Sequence, residues 1–299
     1  MKQEPELLKN CPLCGYEKSE FALSVRDFLV TGEEFKIVRC PKCKLLYTNP
    51  RPDKINSAPY YDSDEYISHT NSRKTFFEKV YQVVRNVALR GKVSFVCSHA
   101  GNNHILDVGC GTGEFLAKIA ERKFRITGVE VNDFARKQAE DKTGIKIYKS
   151  LGEVEPPKNG FGAITLWHVL EHIHELEESI NHLRSYLADN GRLILALPNH
   201  KSYDAIFYKD YWAAWDVPRH LYHFSPESIK SLANRFHLEL VQTKGMWFDS
   251  FYISLLSEKY MKRKAPWLGA MINGTLSDLK ALIQKDKFSS LIFVLRKKG

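Results

Sequence analysis

Four cysteines near the start of the chain have the spacing of a metal site. Cys11 and Cys14 form one Cys-x-x-Cys pair, and Cys40 and Cys43 form a second pair after an interval of 25 residues. Two such pairs supply four thiolates, which is the tetrahedral shell that Zn²⁺ takes in structural sites. Four sulfurs leave no open coordination position, so the predicted ion is structural, with iron as the alternative metal. The pattern predicts a small metal-binding module over residues 1–48.

A glycine-rich segment in the middle of the chain has the composition of a ligand-binding loop. Asp107 stands near the end of an apolar stretch and is followed by Gly109, Gly111 and Gly113. Glycine lets a backbone turn tightly and approach a ligand closely. Glu114 stands where a dinucleotide fingerprint needs its last glycine, and no Gly-Lys-Ser/Thr follows. Neither a dinucleotide fingerprint nor a P-loop is therefore present.

An acidic residue, Glu130, follows the next predicted strand. A carboxylate at this place accepts two hydrogen bonds from a ribose diol. Together with Asp107 and Glu114, it would repel a pyrophosphate and attract a ligand that has a cationic end. The loop and the acid predict a site for an adenosine-like ligand without a diphosphate.

Histidines and aromatic side chains follow two later strands. The first group is Trp167-His168-Val-Leu-Glu171-His172, and the second runs from Tyr211 to Phe224. An imidazole titrates near neutral pH and can take a proton from an acceptor, whereas a guanidinium can clamp an anion. The candidate catalytic residues are His168 as the first choice of base, His220 and His223 as other bases, and Arg219 as the clamp. Alternatively, Glu171 and His172 cap the next helix, and the second group is an aromatic-packed loop.

The elements that position these groups alternate between strand and helix from residue 104 to residue 200. This alternation predicts a parallel sheet with helices on both faces, so that the strands end at one common edge. One of the helices is expected to run from His174 to Gly191. Residues 49–100 read as an aromatic and helical linker that includes a lid with Tyr66, and residues 101–299 as the main domain. A helical insertion is expected at about residues 246–284.

The motifs resemble those of class I S-adenosylmethionine-dependent methyltransferases. ILDVGCGTGEFL looks like their first motif, GVEVND like their second, and ITLWHVLEHI and LILALPN like those of strands four and five, over roughly residues 104–200. The resemblance implies an α/β fold with a Rossmann-like, mostly parallel sheet of seven strands whose last strand is antiparallel. It also implies cofactor-binding residues, namely Asp107, Gly109, Cys110, Gly111, Gly113, Glu130, Val131, Leu166, Trp167 and His168.

The cysteine module resembles a zinc ribbon, and its place before the main domain is similar to that in sugar methyltransferases with an N-terminal zinc domain. The expected activity is methyl transfer to a small molecule such as a sugar, a nucleotide-sugar or a lipid or glycan precursor. An RNA methyltransferase is the first alternative, although the chain lacks an Asn/Asp-Pro-Pro-Tyr/Phe turn and a strand-four cysteine. A non-catalytic protein that senses S-adenosylmethionine and docks a partner is the second alternative.

The composition is that of an ordinary folded protein. Of its 299 residues, 43% are hydrophobic and 26% are charged, which excludes a disordered chain. No apolar run reaches the ~18 residues of a membrane span, and the first residues lack a secretory signal, so a cytoplasmic protein is expected. The net charge of +9 is compatible with an anionic acceptor. Apolar residues in the 246–284 insertion would suit a homodimer contact.

Overall fold

The computed structural model describes residues 5–61 and 76–299, and within the first helix it describes side chains from residue 86 on. Most of the aromatic segment predicted to act as a lid, including Tyr66, lies outside the described residues. Within those residues, no helix combines the length and the apolar character that crossing a lipid bilayer requires.

A small antiparallel sheet carries the cysteine module. Its first three strands are β1 (Glu20–Arg26), β2 (Glu34–Arg39) and β3 (Leu46–Thr48). A distant segment, Tyr222–His223 (β9), adds the fourth strand by pairing with β3. The cysteine module therefore shares a sheet with the second histidine-bearing group.

The main sheet has the predicted seven strands, in the order β10-β11-β8-β7-β4-β5-β6. Strands β4 to β8 pair in parallel with one another, whereas β11 is antiparallel to both β8 and β10. The strands are β4 (His104–Val108), β5 (Arg125–Val129), β6 (Ile147–Tyr148), β7 (Phe161–Trp167), β8 (Leu187–Pro198), β10 (Leu238–Met246) and β11 (Ser290–Lys297). This arrangement confirms the predicted fold class.

Helices cover the main sheet, and their ends follow from local sequence. The helix Asp133–Thr143 begins where the Asn132 side chain accepts a hydrogen bond from the amide of Ala135, and it ends at Gly144 in the left-handed conformation. The described helices are α1 (Phe76–His99), α2 (Glu114–Ala120), α3 (Asp133–Thr143), α4 (Leu176–Tyr186), α5 (Tyr203–Tyr208), α6 (Pro226–Arg235), α7 (Asp249–Tyr260) and α8 (Pro266–Ile283).

The end of one helix differs from the expectation, and the structure of the insertion refines another. The helix expected to reach Gly191 ends at Tyr186, because β8 already begins at Leu187. The predicted insertion consists of α7 and α8, which pack on each other. The outer face of α8 leaves Trp267, Met271 and Ile283 exposed, and the homodimer contact expected there stays a prediction.

The core lies between the sheet and its helices. Ile105 and Leu106 of β4 are fully buried on opposite faces of the central strand, each within its own apolar cluster. Buried central strands of this kind are rigid supports for the loops that follow them.

Candidate active site

The carboxyl ends of β4, β5, β7 and β8 meet at one edge of the sheet, where parallel α/β sheets bind their ligands. The glycine loop follows β4, Glu130 follows β5 and His168 follows β7. The topology therefore brings the three predicted groups to the same edge.

The backbone of the glycine loop needs glycine at each of its three positions. Gly109, Gly111 and Gly113 have φ angles of 71°, 55° and 77°, which side-chain-bearing residues rarely adopt. A methyl group at Gly109 would collide with the side chain of Val169, and one at Gly113 would meet the backbone of Ala139 at 2.9 Å. A methyl group at Gly111 would point into open space. The loop is thus closed against the turn that follows β7 and against α3, and it is open at its middle, as a cradle for a ligand must be.

Glu130 ties this cradle to the end of β5. Its carboxylate accepts hydrogen bonds from the amide of Gly111 at 2.8 Å and from the amide of Asn132 at 2.9 Å. Each carboxylate oxygen keeps further acceptor capacity, so the group can also receive the hydroxyls of a ribose.

His168 occupies a strained backbone position directly after β7. Its φ angle of 56° lies in the left-handed region, and such outliers concentrate at functional sites. Its Nδ1 atom is 3.6 Å from Oε1 of Glu171, and its Nε2 atom is 3.4 Å from Oδ2 of Asp249. The imidazole is thus held between two carboxylates beside the glycine loop.

The charge state of this trio follows from burial and pairing. Burial alone would lower the pKa of His168, but the carboxylates of Asp249 and Glu171 outweigh it and raise that pKa to about 9. Burial would raise the pKa values of Glu171 and Asp249, and the facing imidazoles lower both instead. His168 is therefore mostly a cation below pH 9, with both carboxylates ionised, and its neutral form becomes more populated as the pH approaches that value.

Asp107 lies beneath the loop in a different environment. Its side chain is buried and accepts a hydrogen bond of 2.6 Å from the hydroxyl of Thr165. Burial raises the pKa of Asp107 to about 7, although Thr165 and the ammonium group of Lys92 oppose the rise. Lys92 itself lies over the Trp167 ring, with Nζ 4.5 Å from the ring centroid.

Asp249 and Lys92 are members of this site that the sequence did not indicate. Asp249 begins α7 inside the predicted insertion, far along the chain from His168. Lys92 lies on α1, which the sequence indicated only as part of a helical linker. No local motif marks either residue, because each reaches the site through tertiary packing.

The other predicted cofactor-binding residues differ in how far they are exposed. Val131 is exposed at the edge, Cys110 is buried within the loop, and Leu166 is fully buried inside β7. Leu166 can therefore offer a ligand only its backbone.

Arg219 and His223 point toward the cysteine module. The guanidinium of Arg219 donates to Asp27 at 2.9 Å, to Asp216 at 2.7 Å and to the carbonyl of Tyr60 at 2.8 Å. His223 lies in β9, with Nε2 3.3 Å from the hydroxyl of Thr48. These contacts support a structural role for both side chains.

His220 and His172, in contrast, lie beside Glu171. The Nε2 atom of His220 is 3.9 Å from Oε1 of Glu171. The ring centroids of His220 and His172 are 4.6 Å apart. Burial lowers the pKa of His172 to about 4, which makes this ring neutral. The structure thus brings His168, Glu171, His172 and His220 together at the edge.

The four cysteines of the first module converge as their spacing predicts. Sγ of Cys11 is 3.5 Å from Sγ of Cys43, and Sγ of Cys14 is 3.5 Å from Sγ of Cys40. A tetrahedral Zn²⁺ with bonds of about 2.3 Å places its sulfurs at similar separations. The two knuckles are built alike, because the amides of Gly15 and Lys44 donate to the carbonyls of the first cysteine in each pair.

Comparisons with known proteins agree with this architecture. A family model described as "Methyltransferase domain" matches residues 81–243, more than half of the chain. The ubiquinone biosynthesis O-methyltransferase of Rickettsia canadensis (strain McKiel) is 24% identical over 200 residues, which are 62% of this chain and 84% of that protein. The protein of the same name from Rickettsia prowazekii (strain Madrid E) is 27% identical over 157 residues, which are 48% of this chain and 62% of that protein.

A solved structure shares the fold. The magnesium protoporphyrin IX methyltransferase of Synechocystis PCC 6803, determined with bound S-adenosylhomocysteine, superposes with a TM-score of 0.53 and 16% identity. The match covers 82% of this chain and all of that one. The family model matches more than half of the chain, and the glycine cradle and the seven-stranded sheet agree with it. The chain therefore belongs to the methyltransferase domain family and is an S-adenosylmethionine-dependent methyltransferase.

Proposed function

We propose that the enzyme methylates a hydroxyl group of a small molecule, with the neutral form of His168, whose population rises as the pH approaches 9, as the group that takes the hydroxyl proton. The observation that carries this proposal is the strained position of His168 beside the glycine loop, between Glu171 and Asp249. The names of the two Rickettsia relatives, both O-methyltransferases of ubiquinone biosynthesis, support oxygen as the attacking atom and a small molecule over RNA.

The proposed cofactor site consists of the glycine loop and its neighbours. S-adenosylmethionine supplies a methyl group on a sulfonium, which is reactive without further activation. In the proposal, the backbone of Gly109 and Gly111 holds the methionine part and Glu130 the ribose. The remaining residues proposed to line the site are Asp107, Cys110, Gly113, Val131, the backbone of Leu166, Trp167 and His168.

The chain's contribution to the reaction is orientation and proton removal. Aligning the acceptor is worth up to ~7–11 kcal/mol of the barrier, and a positioned base contributes about 10²–10⁴-fold. Nδ1 and Nε2 of His168 each face a carboxylate, which fixes the ring and stabilises the imidazolium that proton transfer produces. We leave Arg219 and His223 out of the reaction, because the guanidinium of Arg219 and Nε2 of His223 have partners within the protein.

For the acceptor, we propose sugars, nucleotide-sugars and lipid or glycan precursors beside phenolic quinone precursors. A panel of these compounds, incubated with labelled S-adenosylmethionine, tests the proposal, and the linkage in any product is read by NMR. A methyl ether is the expected product. Transfer to nitrogen or carbon alone, or to RNA, would contradict it.

Replacing His168 by asparagine is expected to lower turnover by about 10²–10⁴-fold, the range for loss of a positioned base. The affinity for S-adenosylmethionine should fall much less than turnover, because the glycine loop and Glu130 are untouched and His168 is only one of the residues that line the cofactor site. Turnover is measured with an acceptor from the panel, and affinity by calorimetry. His237→Asn is the matched control, since His237 is exposed and outside the site. Normal turnover in His168→Asn would move the proton-accepting role to His220.

The affinity for S-adenosylmethionine is expected to depend on pH through Asp107. The pKa of Asp107 is raised to about 7 by burial, so below that pH the carboxyl is mostly neutral. The cationic end of the cofactor favours the ionised form, so binding below pH 7 releases a proton. Affinity should therefore fall by up to about tenfold for each pH unit below 7 and stay level above it.

Calorimetric titrations across this pH range measure the effect. Thr165→Val removes the hydroxyl that donates to Asp107 and should move the change to higher pH. Asp107→Asn should make the affinity independent of pH in this range. An affinity that is level from about pH 5.5 to 8 in the unaltered enzyme, a range of about two and a half units that spans the shifted pKa, would contradict the role of Asp107.

We also propose that the cysteine cluster binds one structural Zn²⁺. The sulfur separations and the matching turns of the two knuckles support this fit. The ion would fix the turns that precede β1 and β3, and it takes no part in methyl transfer.

A further inference from the structure

The carboxylate of Glu171 is buried, and no hydrogen-bond donor reaches it from the part of the chain that the structure describes. Only 1% of the residue is exposed, and among the described residues neither carboxylate oxygen has a hydrogen-bond partner. The 3.6 Å separation from Nδ1 of His168 is an ion-pair distance and too long for a hydrogen bond. Buried carboxylates are normally satisfied by donors or by metal ions, so this one calls for a partner.

His220 turns an electron pair toward the same point. Its Nδ1 atom is 2.9 Å from the carbonyl oxygen of Ala214, and because a carbonyl only accepts, Nδ1 carries a proton. In the neutral ring, Nε2 is then an unprotonated acceptor. It lies 3.9 Å from Oε1 of Glu171 and 3.9 Å from Oδ2 of Asp216. A lone pair facing two carboxylates is favourable when a cation lies between them.

His172 completes a set of three donors. Ring nitrogens of His172 and His220 and a carboxylate oxygen of Glu171 all lie within 4.8 Å of one another. Ligands of one ion at about 2.0–2.2 Å have separations in this range. The hydroxyl of Tyr61 lies 3.2 Å from Nδ1 of His172 and gives that ring an orienting partner.

The backbone holds the two ligand-bearing segments together before any ion binds. The amide of Leu221 donates to the carbonyl of Glu171 at 2.8 Å, and the amide of His220 donates to the carbonyl of Asp216 at 2.9 Å. The hydroxyl of Thr48 donates to the carbonyl of His220 at 2.9 Å. The donor set is therefore fixed by three chain segments that are distant in sequence, as a built site requires.

We propose that Glu171, His172 and His220 bind a divalent transition-metal ion at the acceptor side of the active site. Two imidazoles and one carboxylate suit Zn²⁺, Fe²⁺, Co²⁺ and Mn²⁺, and three protein ligands leave positions open. The proton on Nδ1 of His220, held by a backbone carbonyl, is the usual arrangement of a metal-binding histidine. This site is distinct from the cysteine cluster, whose four sulfurs form a closed shell.

The open positions give the ion a use in the reaction. An acceptor hydroxyl bound there would have a lower pKa and would lie beside His168, which contacts Glu171. This use rests on the proposed O-methylation, whereas binding of the ion does not.

Cobalt binding to the zinc-loaded enzyme tests the site without any acceptor. Co²⁺ bound by nitrogen and oxygen gives visible bands without the thiolate charge-transfer absorption of a cysteine site. We expect the enzyme to take up one equivalent of Co²⁺ with such bands while the cysteine cluster keeps its zinc. No uptake, or uptake with thiolate absorption only, would overturn the proposal.

Two ligand variants locate the bound cobalt. Glu171→Gln and His220→Asn should each weaken Co²⁺ binding by more than the about 10- to 100-fold that loss of an orienting partner costs. His237→Asn, which changes an exposed histidine, should bind Co²⁺ normally. Calorimetry with S-adenosylmethionine verifies that each variant is folded. If a variant does not fold, the spectrum of the unaltered enzyme still decides whether it binds one equivalent of Co²⁺. Retention of the cobalt bands in both ligand variants would overturn the assignment.

The outcomes separate this inference from the proposed function. Disappearance of the cobalt bands in both variants, together with a product methylated on nitrogen, would support the metal site and refute O-methylation. A methyl ether made by an enzyme that takes up no cobalt would support O-methylation and refute the metal site.

Discussion

Replacing Glu130 by glutamine is expected to weaken the binding of S-adenosylmethionine by about 10- to 100-fold, since a hydrogen bond to a charged group is worth ~1.5–3 kcal/mol. The carboxylate accepts from the amides of Gly111 and Asn132. Glutamine has one carbonyl oxygen and one amide group, so one of these donors would face another donor. The variant therefore binds the ribose hydroxyls less well and also loosens the glycine cradle. Calorimetric titration measures both the affinity and the stoichiometry.

A second ligand separates the two functions that Glu130 can have. S-adenosylhomocysteine has the same ribose but lacks the sulfonium charge. If Glu130 binds the ribose, Glu130→Gln should weaken the binding of both ligands by the same factor. A weakening confined to S-adenosylmethionine would mean that Glu130 acts on the charge instead. Glu121→Gln is the matched control, because Glu121 is exposed at the end of α2. Unchanged affinity for both ligands would refute the ribose role.

Replacing Cys43 by serine is expected to release the thiolate-bound metal and to abolish turnover while the affinity for S-adenosylmethionine is kept. Binding of a structural zinc supplies an apparent ~10–16 kcal/mol to small metal modules, which is comparable to the whole stability of a domain. The loss should not stay within the module. Tyr47 of β3 pairs with Tyr222 of β9, and Asp27 neutralises the buried Arg219. Disorder of β1–β3 would therefore reach the segment that carries His220.

Elemental analysis and calorimetry measure the two effects of Cys43→Ser. Cys97→Ser is the matched control, because Cys97 is outside the cluster and should leave the metal in place. Zinc is the expected element in the cysteine cluster, and iron there would correct the identity of the ion. Absence of any thiolate-bound metal from the unaltered enzyme would show that the zinc proposal is wrong. Retained turnover in Cys43→Ser would show that the module folds independently of the active-site edge.

The sequence predicted the parts of the site whose signals are local. The glycine loop and Glu130 follow neighbouring parallel strands, so the topology alone brings them to one edge. The cysteines pair within two short knuckles, and their spacing is sufficient to predict a common centre. His168 was found because it directly follows a buried strand.

The remaining parts depend on contacts that no short segment encodes. Asp249 reaches His168 through the packing of α7, and the sequence around it gives no sign of a catalytic partner. Arg219 and His223 are residue types that often bind anions or transfer protons. Here the two-residue strand β9 pairs with the sheet of the cysteine module, and both side chains contact that module instead. A strand this short has no periodicity from which its pairing could be predicted.

The pairing of β3 with β9 has a consequence for how such enzymes can diverge. A recombination event that removed the cysteine module would uncover the edge of β9 and leave Arg219 buried without Asp27. The module and residues 213–224 should therefore be inherited as one unit. We expect relatives that lack the cysteines to carry a different sequence in that segment, and chimeras that exchange only one of the two parts to be inactive.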